Sequence, residues 1–200
     1  MGSQTGIGKQ LFNGRDLTGW EQAGPGGFAV EDGALRTQGG MGLLWYTEET
    51  FGNCLLRAVY KVSRAEDNSG VFIRIDNKPP DPWYAVHHGY EVQILATGGE
   101  YHKSGCIYSL SRGLADAQKP PGEWNVMDIV MRGDLVEVTL NETLVTAFDP
   151  KGPVPERQFG YEPERTPRAE IGYIGLQNHD KDSVVCFREV SVHPLPEEQR

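Results

Sequence analysis

Glu91 and Gln93 stand two residues apart in the segment GYEVQIL, residues 89–95, with Val92 and Ile94 alternating against them. A strand with this alternation sends the polar pair to one face and the apolar pair to the other. The same reading of GVFIRI, residues 70–75, puts Val71, Ile73 and Ile75 inside and leaves Phe72 and Arg74 outside. In YIGLQNHD, residues 173–180, it places Gln177 and His179 outside and Ile174 and Leu176 inside. If the three strands share a curved sheet, one groove collects Arg74, Glu91, Gln93, Gln177 and His179. A carboxylate on a rigid strand serves as a general base or metal ligand, and a histidine as an acid or base near neutrality. A guanidinium supplies fixed positive charge, and a glutamine amide both donates to and accepts from hydroxyl groups. Each residue also has a plain reading. Glu91 is then a solvated outer-face glutamate, Arg74 its ion-pair partner, the glutamines cross-strand neighbours, and His179 an exposed strand-end residue.

The elements that must hold these residues are strands. At 200 residues the chain fits one domain, with 38% hydrophobic and 24% charged residues, as in a globular protein. Short alternating runs punctuated by turn residues predict an all-β fold, a two-sheet antiparallel sandwich of the jelly-roll kind. LLRAVYKVS, residues 55–63, is one strand. WNVMDIVMRG followed by DLVEVTLNETLVTAF reads as a three-strand meander, turning at Arg132-Gly133-Asp134 and Asn141-Glu142-Thr143. The last two runs, residues 169–180 and 183–195, read as a further pair. Three long connections lie between: a Pro-rich aromatic loop at 76–88, one at 109–123 with a short helical turn near 114–118, and a charged one at 149–170. The expected organisation is a tail at 1–10, one domain at 11–195 and a tail at 196–200.

Composition excludes several function classes. The net charge of −9 comes with no basic block, so no nucleic-acid surface is expected. No apolar run reaches the roughly 20 residues of a membrane span. The N-terminal residues lack the apolar core of a signal peptide, which predicts a cytoplasmic protein, or an exported one whose leader has been removed; Met1-Gly2-Ser3 has the look of a cloning remnant. Cys54, Cys106 and Cys186 show no metal-type spacing and read as free thiols. No glycine-rich segment follows a strand and opens a helix, so no nucleotide site is expected.

Taken in order, LFNGRDLTGW, NSGVFIRI, GYEVQIL, SGCIYSL, KPPGEWNVMDIVMRG, LVEVTLNETLV, IGYIGLQNHD and VCFREVSVHPL resemble the 3-keto-disaccharide hydrolase family, from about Leu11 to Leu195. Two places depart from the family's pattern. Asn141-Glu142 stands where many members carry Asn-Gly, and Ser104-Gly105-Cys106-Ile107-Tyr108 where many carry Thr-Gly-Ala-Ile-Tyr. The resemblance implies a concanavalin-like sandwich whose concave face holds a sugar, specifically a small glycoside already oxidised at carbon 3 by a separate sugar 3-dehydrogenase. A 3-keto group acidifies the proton on carbon 2. A base removes it, the enolate expels the group on carbon 1, and water adds across the double bond.

On that implied route Glu91 is the base, Arg74 stabilises the enolate and His179 is an acid or base. Gln93 and Gln177 read sugar hydroxyls. Trp83, Tyr84, Tyr108, His88 and His102 border the groove as further substrate contacts, with aromatic faces suited to a sugar's C–H face. His87 and His88, if extended, point in opposite directions, so at most one faces the ligand. No cofactor is assigned; a divalent ion on Glu91, a histidine and Asp180 is left open, without a standard metal-binding spacing. The alternatives are a hydratase of 2-hydroxy-3-keto-glucal and a carbohydrate-binding module without turnover. An ordinary glucanase is disfavoured by the absence of a Glu-x-Asp-x-x-Glu strand.

Overall fold

The structure is a computed structural model that describes residues 8–195. The tail expected at 196–200 and the first seven residues lie outside the described residues. In chain order the elements begin with β1 (Lys9–Gln10), β2 (Trp20–Ala23), β3 (Gly27–Glu31), β4 (Ala34–Gln38), β5 (Gly42–Tyr46), β6 (Cys54–Val62) and β7 (Ser69–Ile75). They continue with α1 (Pro82–His88), β8 (Tyr90–Ile94), β9 (Asn125–Arg132), β10 (Leu135–Leu140), β11 (Thr143–Phe148), β12 (Tyr173–Asn178) and β13 (Val185–Pro194).

The strands form two antiparallel sheets in one domain, as expected. The larger runs β11-β10-β9-β6-β13-β4-β3, with β1 added on β13; the smaller runs β2-β5-β12-β7-β8. β1 starts inside the stretch expected to be a tail. The sheets pack face to face, and alternate residues of both fill the space between them: Leu56, Ala58 and Tyr60 from β6, Ile129 and Met131 from β9, Val92 and Ile94 from β8, Ile174 and Leu176 from β12. Among the described residues no helix is long and apolar enough to cross a membrane.

The meander is where the alternation placed it, as β9-β10-β11, with Gly133, Asn141 and Glu142 at positive φ in its turns. Three expectations are corrected. The last two strands do not pair: β12 lies in the small sheet and β13 in the large one. The turn between them closes on Asp180, whose Oδ1 accepts from the Asp182 and Ser183 N–H groups, and it hands the chain across the edge of the sandwich. Residues 114–118 form no helical turn.

The loop at 76–88 instead carries α1. Asp81 caps it by accepting from the Tyr84 N–H at 3.0 Å, and Pro82 occupies the first turn, where a missing N–H costs nothing. α1 lies on the outer face of the small sheet, where Ala85 and Val86 bury Leu43, Trp45, Phe72 and Ile75 in a second apolar cluster. Half of a face expected to be wet is thus covered.

Ile75 belongs to that second cluster because β7 is bulged. Between Tyr173↔Ile75 and Gly175↔Phe72 the β7 side spends one residue more than β12, and Arg74 takes a φ of 57°. The extra residue flips the alternation beyond it. Ile75 therefore faces α1 rather than the main core.

Candidate active site

The uncovered half of the small sheet's outer face is the floor of a cavity of about 670 Å³. β12, β7 and β8 are neighbours, so Gln177, Gln93 and Glu91 share this floor, as the alternation of their strands requires. Gly70, paired with Gln93 on the adjacent strand, leaves the space that the Glu91 side chain fills: a Cβ there would lie 2.7 Å from Glu91 Cγ and Oε1. Glu91 is only 6% exposed, and its side chain hydrogen-bonds to the Gln177 amide. Burial raises its pKa to about 8, and the Gln177 hydrogen bond offsets only part of that rise. Gln93 is fixed by donating through Nε2 to Asn68 Oδ1 at 2.7 Å and to the Ser69 carbonyl at 3.2 Å.

Around this floor stand Tyr108, His102 and His179. The Tyr108 N–H donates to the Glu91 carbonyl at 2.8 Å, which ties its loop to β8. Burial, followed by the Glu91 and Glu162 carboxylates, pushes the Tyr108 phenol up to about 12, so it stays protonated and available as a donor. His102 packs against the Tyr108 ring at 5.2 Å. His179 Nδ1 lies 2.9 Å from Asp180 Oδ2. Burial works against the Asp180 charge, but bonds from His179, Asp182 and Ser183 outweigh it and hold the carboxyl at about 2. This contact fixes the ring and leaves Nε2 as the group not engaged with Asp180.

Several expected residues lie elsewhere. Arg74 is not in the cavity lining, because the bulge directs it away from Glu91. Its guanidinium donates to the Gly133 carbonyl, and to the Asp134 carbonyl at 3.3 Å, in the β9–β10 hairpin of the other sheet. Tyr84 and His88 are also outside the lining: the Tyr84 hydroxyl donates to Asp76 at 2.8 Å, and His88 stacks on its ring. Helical spacing, in place of an extended chain, decides this, since positions four apart share a face. It sets His87 over Trp83, and of these helix residues Trp83 and Val86 reach the cavity.

The cavity also holds residues that sequence reasoning passed over. The loop at 149–170 supplies Gln158, Phe159, Tyr161 and Glu162 to its wall. Glu162 is buried, and burial opposes its charge. The Gln158 N–H at 2.9 Å and the Arg165 guanidinium at 3.0 Å win, keeping its pKa below the usual glutamate value. The cavity thus holds two carboxylates with opposite environments, one inclined to keep its proton and one ionised. The ERQF and YEPER spacing, with arginines flanking a glutamate, was the available signal. Ser104, in the segment that departs from the family's pattern, accepts from the Leu95 N–H at 2.8 Å and binds Gln118. Asp180 is committed to its turn and to His179, and among the described residues no three His, Cys, Asp or Glu side chains converge as a ligand set.

Comparison with known proteins follows the same lines. A family model described as the 3-keto-alpha-glucoside-1,2-lyase-like domain matches residues 8–193. No curated protein matches the chain in sequence. Among solved structures, a protein of Parabacteroides distasonis described as a candidate glycosyl hydrolase superposes with a TM-score of 0.78 at 26% identity, covering 95% of this chain and 100% of its own. A Bacillus subtilis protein with a galectin-like fold gives 0.64 at 16% identity, covering 94% of this chain and 98% of its own. A carbohydrate-binding module of Bacillus subtilis gives 0.57 at 13%, covering 88% and 95%. The last two likenesses concern the fold alone.

Proposed function

The chain belongs to the 3-keto-alpha-glucoside-1,2-lyase-like family, and from that premise we propose that it cleaves the glycosidic bond of 3-keto-glycosides. The observation that carries this reading is Glu91. It is a buried carboxylate on a rigid strand at the floor of an open cavity, with its pKa raised to about 8. Ordinary glycoside hydrolysis proceeds through an oxocarbenium-like state. Removal of a carbon-2 proton next to a ketone needs a base that is strong once ionised, and burial makes Glu91 such a base.

Glu91 takes the carbon-2 proton. Its pKa lies far below that of an ordinary alkyl C–H, so the reaction depends on the ketone and on donors at its oxygen. With Arg74 committed to the opposite sheet, neutral donors take that role, foremost the Tyr108 hydroxyl. The leaving oxygen on carbon 1 receives its proton from His179, oriented by Asp180. Gln93 and Gln177 hold sugar hydroxyls, and Trp83 packs on the sugar or its substituent. Water then adds to carbon 1, giving a proton back to His179, and Glu91, its proton exchanged with solvent, protonates carbon 2.

Binding without turnover is the reading from another class, and the exposed aromatic rings at the mouth would serve it too. The two separate in a paired assay of aglycone release from a 3-keto-glucoside and from its unoxidised counterpart, with and without chelator. Release from the keto substrate alone supports the proposal. Release from neither, with retained affinity for both, supports a binding module.

A further inference from the structure

Of the seven large hydrophobic side chains left exposed among the described residues, three border this cavity: Trp83, Phe159 and Tyr161. All three are aromatic, and they are 48%, 52% and 51% exposed. The Phe159 and Tyr161 rings are already parallel, with centroids 5.1 Å apart and planes 6° apart, so the pair presents flat apolar surface at the mouth.

This wall is held rigidly for a loop. Arg165 donates to the Pro155 and Pro163 carbonyls at 2.9 and 2.7 Å and to Ser109 at 2.9 Å, while Arg157 donates to the Gly160 carbonyl at 2.6 Å. Arg168 reaches the Gly89 carbonyl beside β8 at 2.8 Å. Exposed rings held in place bind flat partners without paying much to become ordered. Glu91, Gln93 and Gln177 stand on the strand floor, whereas the exposed rings stand on α1 and on the 149–170 loop, which also brings Gln158 and Glu162. At about 670 Å³ the cavity has more room than one sugar ring needs.

We propose that this aromatic wall is the leaving-group subsite and that it selects glycosides with a neutral aryl aglycone. The inference rests on the reading of the site as a 3-keto-glycoside cleaving centre. A ring entering between Trp83 and the Phe159–Tyr161 pair stacks on the half of these rings left open. The ionised Glu162 at the same wall disfavours an anionic aglycone.

The test is calorimetric titration of phenyl and methyl 3-keto-glucosides, each as both anomers, into the Glu91→Gln protein, with and without the Phe159→Ala/Tyr161→Ala pair, alongside turnover by the wild-type chain. The phenyl glycoside is expected to bind about tenfold more tightly than the methyl one, the size of one good stacking contact, and the double substitution to erase the difference. Equal affinities for the two glycosides overturn the aryl subsite, even if both are turned over. A phenyl preference that survives the double substitution overturns its assignment to these rings. A preference that depends on the rings, in a wild-type protein that turns over neither, keeps the subsite and refutes the proposed reaction. If neither glycoside binds, both fall.

Discussion

β7 and β8 are adjacent strands, and each buries one charged residue; the two burials do opposite things. Arg74 is 1% exposed, and burial lowers its pKa, but its donors end on the carbonyls of a hairpin in the other sheet. It bolts the sheets together. Glu91 is almost as buried, yet it has no cation beside it and faces a cavity. A buried charge tied to the backbone of a neighbouring sheet belongs to the structure, whereas one without a cation beside it and facing open space is available for chemistry.

The largest expected effect tests the Glu91 side of this contrast. Glu91→Gln should lower turnover of a 3-keto-glucoside by about a thousandfold while leaving the fold intact. A rate within a few-fold of wild type would remove its role as base. On the other side, Arg74→Ala should cost about 3 kcal/mol of stability in a denaturant titration, through the lost volume and the orphaned carbonyls. The kcat of the folded fraction should be unchanged, and a kcat loss with normal stability would reverse the two assignments.

Asp180→Asn falls between these. By freeing the His179 ring it should lower kcat roughly tenfold with little change in KM, which separate measurement of the two constants would check.

The contrast also predicts a pH signature. Because folding raises Glu91 from 4.5 to about 8, the folded state holds this proton more tightly than the unfolded state does. Its contribution is therefore fully present below about 4.5 and is lost as pH rises through about 8. Melting temperatures of wild type and Glu91→Gln should diverge over that window, with the variant gaining. Parallel curves would mean Glu91 ionises normally. The smallest effect lies far from the site. Glu142 sits at a φ of 68° in the β10–β11 turn, so Glu142→Gly should stabilise the protein by about 0.5–1 kcal/mol, measurable as a rise in melting temperature.

Alternation put Glu91, Gln93 and Gln177 on one face, because β8 and β12 keep strict period-two geometry through these positions and turn the other face toward the core; reading that face as a site took the family resemblance as well. The same rule misplaced Arg74 and Ile75, since an inserted residue in a pairing cannot be read from one strand's pattern. It gave little notice of β5, whose residues Gly42–Tyr46 are buried on both faces and therefore do not alternate. α1 was legible but overlooked: Asp81-Pro82 is a cap followed by a first-turn proline, and the prolines before it drew the reading toward a loop. Glu162 was hidden for another reason. It lies about 70 residues from Glu91 in an irregular segment, and tertiary packing with arginine-to-carbonyl bonds brings it to the cavity.

The most direct test of the central claim follows the proton itself. A 3-keto-glucoside deuterated at carbon 2 is incubated in ordinary water with wild type and with Glu91→Gln, and loss of the label and release of aglycone are followed by NMR. The account predicts label loss with aglycone release for wild type and neither for the variant, with the unoxidised glucoside inert to both. Release of aglycone with the carbon-2 label fully retained, or label loss catalysed as fast by Glu91→Gln, would contradict it.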